Sequence, residues 1–374
     1  MQDTAPITVN DIYNKYEDKG FVLDLSKLQD GDIIIEHGYS NFSPIIQVAT
    51  NCYYTHAMIY LETTIIEATG DGGVFSRIPN RFYVPLIEDL KVLRLIEPAH
   101  PHIIEKIKMR ARDLVGSSYS VKEAALAGLT KKAKALLLKK INKYQFCSRL
   151  VAQCYEFGGI PLVKNTNYCS PKDIFESKLL YEVIDAVKEA TPEELHHARS
   201  GVLHPKHLRC CVEWVKEAKK ILKKWNYEVQ TINEIIGAVV NSKNKKIDNA
   251  ICDAIHKSGY LTNYLDDKNA NPFRYDVALF SIKTQNHPEI IDAEIYKEIS
   301  ITKLHMRNYY ETVKQYKKNE ANILKLHMEL QKNLLLIIKE RLSVIVECCH
   351  KNHIKPNNIE LAHHMINDIE NTLS

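Results

Sequence analysis

The sequence predicts an α+β protein: a small antiparallel sheet packed on helices, followed by an all-α C-terminal part. Three observations carry this. Short β-branched or alternating runs at 33–35, 53–61, 65–68, 74–77 and 91–95 read as strands separated by turn residues. From residue 206 to 374 the apolar residues instead recur at three- and four-residue spacing. Between the two patterns, Thr191-Pro192 and His204-Pro205 interrupt the chain, which places a boundary near 185–205. The expected division is a helical lead-in over 1–24, a mixed domain over 25–190 and a helical domain over 206–374.

Each element has its own signal. Leu28-Gln29-Asp30-Gly31-Asp32 reads as a turn into the buried strand Ile33-Ile34-Ile35. Residues 38–44 read as a loop and 45–50 as a short helix. In the next strand, alternation puts His56, Met58 and Tyr60 on one face. The strand at 65–68 ends in Gly70-Asp71-Gly72-Gly73, and the succession of strands reads as a meander. Residues 102–115 form an amphipathic helix closed by Gly116. Residues 121–141 carry six lysines against the single acid Glu123, with an apolar stripe of Ala125, Leu129, Ala133 and Leu136. That is a membrane-surface candidate, although a solvated face over a core helix is the commoner reason for such a pattern. Ser170 and Pro171 read as an N-cap and first helical position. In the C-terminal part, 212–225, 229–240, 291–316 and 321–349 read as helices, 261–274 as an Asn- and Asp-rich loop, and the apolar block 334–338 as bundle core.

Bulk properties narrow the function classes. Of 374 residues, 50 are Lys or Arg and 46 Asp or Glu, a net charge of +4 that gives no nucleic-acid signature. The nine cysteines, at 52, 147, 154, 169, 210, 211, 252, 348 and 349, are odd in number and include two adjacent pairs. They read as reduced thiols, not as a secreted disulfide framework. The N-terminus has neither a basic region nor an apolar one, and no run is long enough to span a membrane. The expected location is cytoplasmic, or outside the cell by a route that needs no classical signal peptide.

The chemistry centres on Cys147. Val151, Cys154 and Tyr155 share one helical face, which puts Cys147 in the first turn of a helix. Unpaired N–H groups and the helix dipole favour a thiolate there. A cysteine nucleophile needs an imidazole to take its proton and an acceptor to hold that imidazole. His56 on one strand and Glu67 on the next can supply both. Asp71 is a rival for the third position, but its glycine flanks favour a turn role.

The residues around these three resemble a family. Gly31-Asp32-Ile33-Ile34, Tyr54-Thr55-His56-Ala57-Met58-Ile59-Tyr60 and Ile66-Glu67-Ala68 are similar to segments of the circularly permuted, papain-like NlpC-type cysteine hydrolases, in the YiiX-like branch. So are Val92-Leu93-Arg94, Gly116-x-x-Tyr119, Phe146-Cys147-Ser148-x-Leu150-Val151, Gly159-Ile160 and Ser170-Pro171. The order of the motifs, histidine strand before cysteine helix, is that of the permuted branch. The resemblance spans residues 25–185. It implies a permuted papain-like domain with Cys147 as nucleophile, His56 as general base and acid, and Glu67 orienting His56. Two positions depart from it: Arg149 stands where glutamate is usual after Cys-Ser, and Ser120 follows Tyr119 where aspartate is common. Both bear on substrate preference.

The expected reaction is acyl transfer through a thioester, with no cofactor. The Cys147 N–H and one further donor, Tyr54 or a group in the loop 38–44 such as Tyr39, would hold the oxyanion. Three readings stay open. The first is an amidase or peptidase acting on an amide- or acyl-bearing substrate. The second is a lipid-linked acyltransferase or phospholipase-like enzyme that docks on a membrane surface through 121–141, conceivably after delivery into a host cell. The third is an inactive scaffold whose helical half binds a protein partner. The clusters His196, His197, His204, His207, Cys210, Cys211 and Cys348, Cys349, His350, His353, His363, His364 match no standard zinc spacing.

Overall fold

The computed structural model describes residues 19–39, 43–70, 72–119, 145–199 and 203–374. The basic stretch 121–141, Ser120, Asp71 and most of the expected lead-in lie outside the described residues. The chain divides into two compact units between Leu208 and Arg209, with Gln230–Ile232 returning to the first.

The first unit is built on two antiparallel sheets. Strand β1 is Phe21–Leu23, inside the expected helical lead-in; Phe-Val-Leu is a β-favouring run, and β1 pairs with two other strands. Next come β2 (Ile33–Glu36), helix α1 (Ser43–Thr50), β3 (His56–Leu61), β4 (Thr64–Thr69), β5 (Gly73–Arg77), β6 (Tyr83–Val84) and β7 (Leu90–Leu95). Helix α2 (Pro101–Asp113), α3 (Cys147–Phe157), α4 (Pro171–Phe175), β8 (Leu180–Glu182), β9 (Val187–Glu189) and α5 (Pro192–Arg199) follow. The larger sheet runs β5-β4-β3-β2-β7-β8 and the smaller β6-β1-β9. Strands β2 to β5 form the expected meander, but β7 returns beside β2 and so buries it in the sheet centre. Residues 187–189, within the stretch read as boundary, pair with β1 instead.

Both faces of the larger sheet are covered. Ile33, Ile35, Ala57, Ile59, Ile66 and Ala68 meet Ile107 and Ala111 of α2 and Leu150, Val151 and Cys154 of α3. Ile34, Met58, Tyr60, Ile65 and Val92 point the other way, towards Leu23, Val84 and Ala186 of the smaller sheet. This explains why β2 reads as an unbroken apolar run instead of alternating.

A buried ion pair ties the sheet centre together. Asp32 is fully buried and meets Arg94 of β7 in a two-pronged contact, Nε to Oδ1 at 2.7 Å and Nη2 to Oδ2 at 2.8 Å. The Gln29 N–H also donates to Asp32, and Tyr155 of α3 donates its hydroxyl to the Gly31 carbonyl. The Gly31-Asp32 and Arg94 positions that resemble the hydrolase family are therefore architectural here.

The second unit is helical. Helix α6 (Leu203–Lys224) carries the division, and its Pro205 sits in the first turn, where a missing N–H breaks no helical bond. Then come α7 (Ile232–Ser242), α8 (Lys245–Ser258), α9 (Asp266–Ala270), α10 (Val277–Thr284), α11 (Pro288–Asn319), α12 (Asn322–Lys351) and α13 (Ile359–Leu373). Much of the stretch 261–274 that reads as a loop is made of short helical turns, held by Tyr275 and Asn271 donating to Asp267. Leu335 and Ile338 of the apolar block are core, packed with Ile291, Ile295 and Ile299 of α11. Helix α12 has no side-chain cap of its own. Asp248 of α8 supplies it, accepting from the N–H groups of Asn322 (2.6 Å) and Ile323 (2.9 Å). Among the described residues no helix is long and apolar enough to cross a membrane, and no group of three or more His, Cys, Asp or Glu is placed to hold a metal.

His327 of α12 is buried beside the rings of Trp214 and Tyr260, and its Nε2 has no hydrogen-bond partner. Burial pulls its pKa down to about 4. The unfolded chain therefore takes up a proton between pH 6.5 and 4 that the folded chain refuses, and stability falls as pH falls through that window. The loss is expected to approach about 3 kcal/mol at its acid end. Urea denaturation of wild type and His327→Leu from pH 7 to 4 checks this: the variant's curve should be flatter by that amount. Parallel curves would mean that His327 is not the source.

Candidate active site

Helix α3 begins at Cys147 because Phe146 is extended and has no capping oxygen. The N–H groups of the first turn are thus left for another acceptor. The Cys147 sulfur takes that place. It is held by the Ser148 N–H and also by the Ala57 N–H of β3, with the Thr55 carbonyl 3.9 Å away. The sheet makes the approach possible. β3 and β4 are paired only from Ile59↔Ile66 to Leu61↔Thr64. The start of β3, His56 to Met58, has no β4 partner, and the start of α3 meets it there.

His56 lies on that end, paired with β2 but not with β4. Its Nε2 is 2.9 Å from Glu67 Oε2, which leaves Nδ1 for the hydrogen bond with Cys147. The structure thus brings together all three residues singled out from the sequence. Cys147 is only 3% exposed, so the site opens chiefly on the side of His56, whose side chain is 18% exposed.

The electrostatics follow from the contacts. Burial pushes the Cys147 thiol up, but the hydrogen bond and charge of His56 and the two backbone N–H groups outweigh it, and the net shift is downward. Burial pulls His56 down, but its hydrogen bonds to Cys147 and Glu67 and their negative charges take it well above the usual histidine value. The two shifts favour one state, thiolate beside imidazolium.

Three neighbours carried no role in the sequence reading. Arg77 of β5 lies 3.5 Å from Glu67 Oε1 and 4.5 Å above the Phe82 ring, so the Glu67 carboxylate is gripped from both ends. The β4–β5 register puts Arg77 two residues along from the Glu67↔Phe75 pair, on the same face. Tyr119 is the second. A bridge to Gln145 fixes it beside the Cys147 helix, and burial together with the Cys147 charge raises its hydroxyl pKa, so it stays a proton donor. Gly116-x-x-Tyr119 was the available signal. The third is Glu36 of β2, directly opposite His56 in the strand register.

Of the two tyrosines expected at the oxyanion, Tyr39 has its hydroxyl committed elsewhere. Tyr39 donates its hydroxyl to the buried Asp89 at 2.8 Å, which also accepts from Tyr53. Tyr54 packs its ring on Phe175, and burial takes its hydroxyl up to about 12. Arg149, the departure from the family pattern, is 2% exposed. It donates to the Asn167 carbonyl at 2.8 Å and stacks on Phe146 and Tyr168, so it locks the helix start to the following loop.

No protein-family model and no curated protein matches the sequence. One solved structure similar to part of it is the "metalloprotein yiiX from Escherichia coli O157:H7, DUF1105". The two are 19% identical over 42% of this chain and 97% of that one, with a TM-score of 0.33.

Proposed function

We propose that this protein is a cysteine-dependent hydrolase acting on an amide or acyl bond, and that its first unit is a permuted papain-like domain. One observation carries the reading: a thiol at an uncapped helix start, hydrogen-bonded to an imidazole whose far nitrogen is held by a carboxylate. In this mechanism the Cys147 thiolate attacks the substrate carbonyl, forming a C–S bond and a tetrahedral oxyanion. We assign the oxyanion to the Cys147 N–H and to Tyr119, whose hydroxyl keeps its proton beside the Cys147 charge. Collapse expels the amine or alkoxide, which takes its proton from His56, and leaves a thioester on Cys147. His56, now neutral, takes a proton from water as the water attacks, and Cys147 departs as thiolate. Glu67 keeps the ring oriented throughout, and Arg77 keeps Glu67 in place.

The test is direct capture of the thioester. Incubation with an activated acyl ester, rapid acid quench and peptide mass spectrometry should find the acyl group on the Cys147 peptide, removable by hydroxylamine. Glu67→Gln should lower the acylation rate by about 10²- to 10⁴-fold, the usual range for disabling general acid–base catalysis. Absence of any adduct on Cys147 would favour a non-catalytic scaffold. Faster discharge by an added amine than by water would make the protein a transferase.

A further inference from the structure

We propose that Glu36 is a positioning residue for the Cys147–His56 pair: a second carboxylate that sets, by charge alone, the pH range in which thiolate and imidazolium coexist. This rests on the reading of Cys147 as the nucleophile.

The placement comes from the sheet. Register pairs Glu36 of β2 with His56 of β3, so their side chains stand next to each other on one face. Both ring nitrogens of His56 are already taken, by Glu67 and by Cys147. Glu36 therefore acts on the ring through space and not as a hydrogen-bond acceptor. Its carboxyl has no hydrogen bond or ion pair among the described residues, whereas Glu67 has two. Glu36 is half-buried, the last residue of the otherwise buried β2, so its charge is only partly screened from His56.

The groups that face it are His56 from β3, Glu67 from β4, Arg77 from β5 and Asp89 from the turn before β7. Burial raises the Glu36 carboxyl, His56 and Arg77 pull it back, and Glu67 and Asp89 push it up, for a result of about 6. Glu36 thus changes charge near neutrality. When ionised, it stabilises the adjacent imidazolium and delays loss of that proton on the alkaline side. Removing its charge moves that loss to lower pH.

The experiment uses the full chain and no substrate. The rate of Cys147 alkylation by iodoacetate is followed by peptide mass spectrometry from pH 4 to 10. The wild type should show two inflections, the lower for formation of the ion pair and the upper for loss of the imidazolium proton. Glu36→Gln, nearly isosteric, should move the upper inflection down by about one pH unit, the scale of a single nearby charge. Glu36→Asp should hold it near the wild-type position. Lys91→Gln removes a charge from the other face of the sheet and should leave it in place. Two inflections in the wild type, unmoved in Glu36→Gln, would overturn the role of Glu36 alone. A single inflection near pH 9 in the wild type would overturn the nucleophile as well.

Discussion

Replacing Cys147 with alanine is expected to abolish the proposed acyl transfer, with a loss of about 10³-fold or more in kcat, because it removes the nucleophile. The neighbouring cysteines show the contrast. Burial takes Cys154 and Cys169 up to about 12, with no imidazole to offset it. At neutral pH these two are thiols, whereas the surroundings of Cys147 lower its pKa. A thiol-directed probe at limiting concentration should therefore label the wild type at one position and leave Cys147→Ala unlabelled. His56→Ala should keep the sulfur but lose the labelling advantage, since burial then acts on the thiol without its main opponent. Equal labelling of wild type and Cys147→Ala would remove the residue from the chemistry.

Arg94→Ala is expected to be the most destabilising single change in the sheet-containing unit, by about 3–5 kcal/mol. It strips the partner from a carboxylate with no exposure, and the Gln29 N–H that remains cannot balance the charge. A drop in the urea midpoint, followed by circular dichroism, measures it. The double variant Asp32→Leu with Arg94→Met should recover much of the loss, because two apolar side chains of similar size leave nothing unpaired. A cost for Arg94→Ala below about 1 kcal/mol would show that water reaches Asp32 and screens it.

Much of this structure was legible in the sequence. Period-two alternation put Met58 and Tyr60 on one face, and the two share a core cluster with Ile34 and Val92. Helical spacing placed Cys147 in a first turn, and Ser170 with Pro171 and Asp173 forms the capping box their types suggest. What was missed depends on long-range partners. Phe21–Leu23 has a β-favouring composition but is only three residues long, and it becomes a strand because Val84 and Val187 lie alongside it. Return of β7 beside β2 is a matter of topology, which strand spacing does not encode. The supporting residues Glu36, Arg77 and Tyr119 are ordinary in their own stretches of chain. Their importance comes from strand register and from one bridge, both of which need the fold to exist first. Tyr39 misled for the same reason: loop position suggested a free hydroxyl, while Asp89, fifty residues on, holds it.

The bridge between Tyr119 and Gln145 has a consequence for how such a protein diversifies. Beside that bridge the Gln145 N–H donates to the Ser118 carbonyl, and the Gln145 side chain donates to Gln153 of α3. Sequence change is tolerated least at these two anchors, because Gln145 stands two residues before Cys147 and is bonded to the same helix. Holding these two anchors is therefore the condition for keeping the start of α3 in place while the rest of the chain varies.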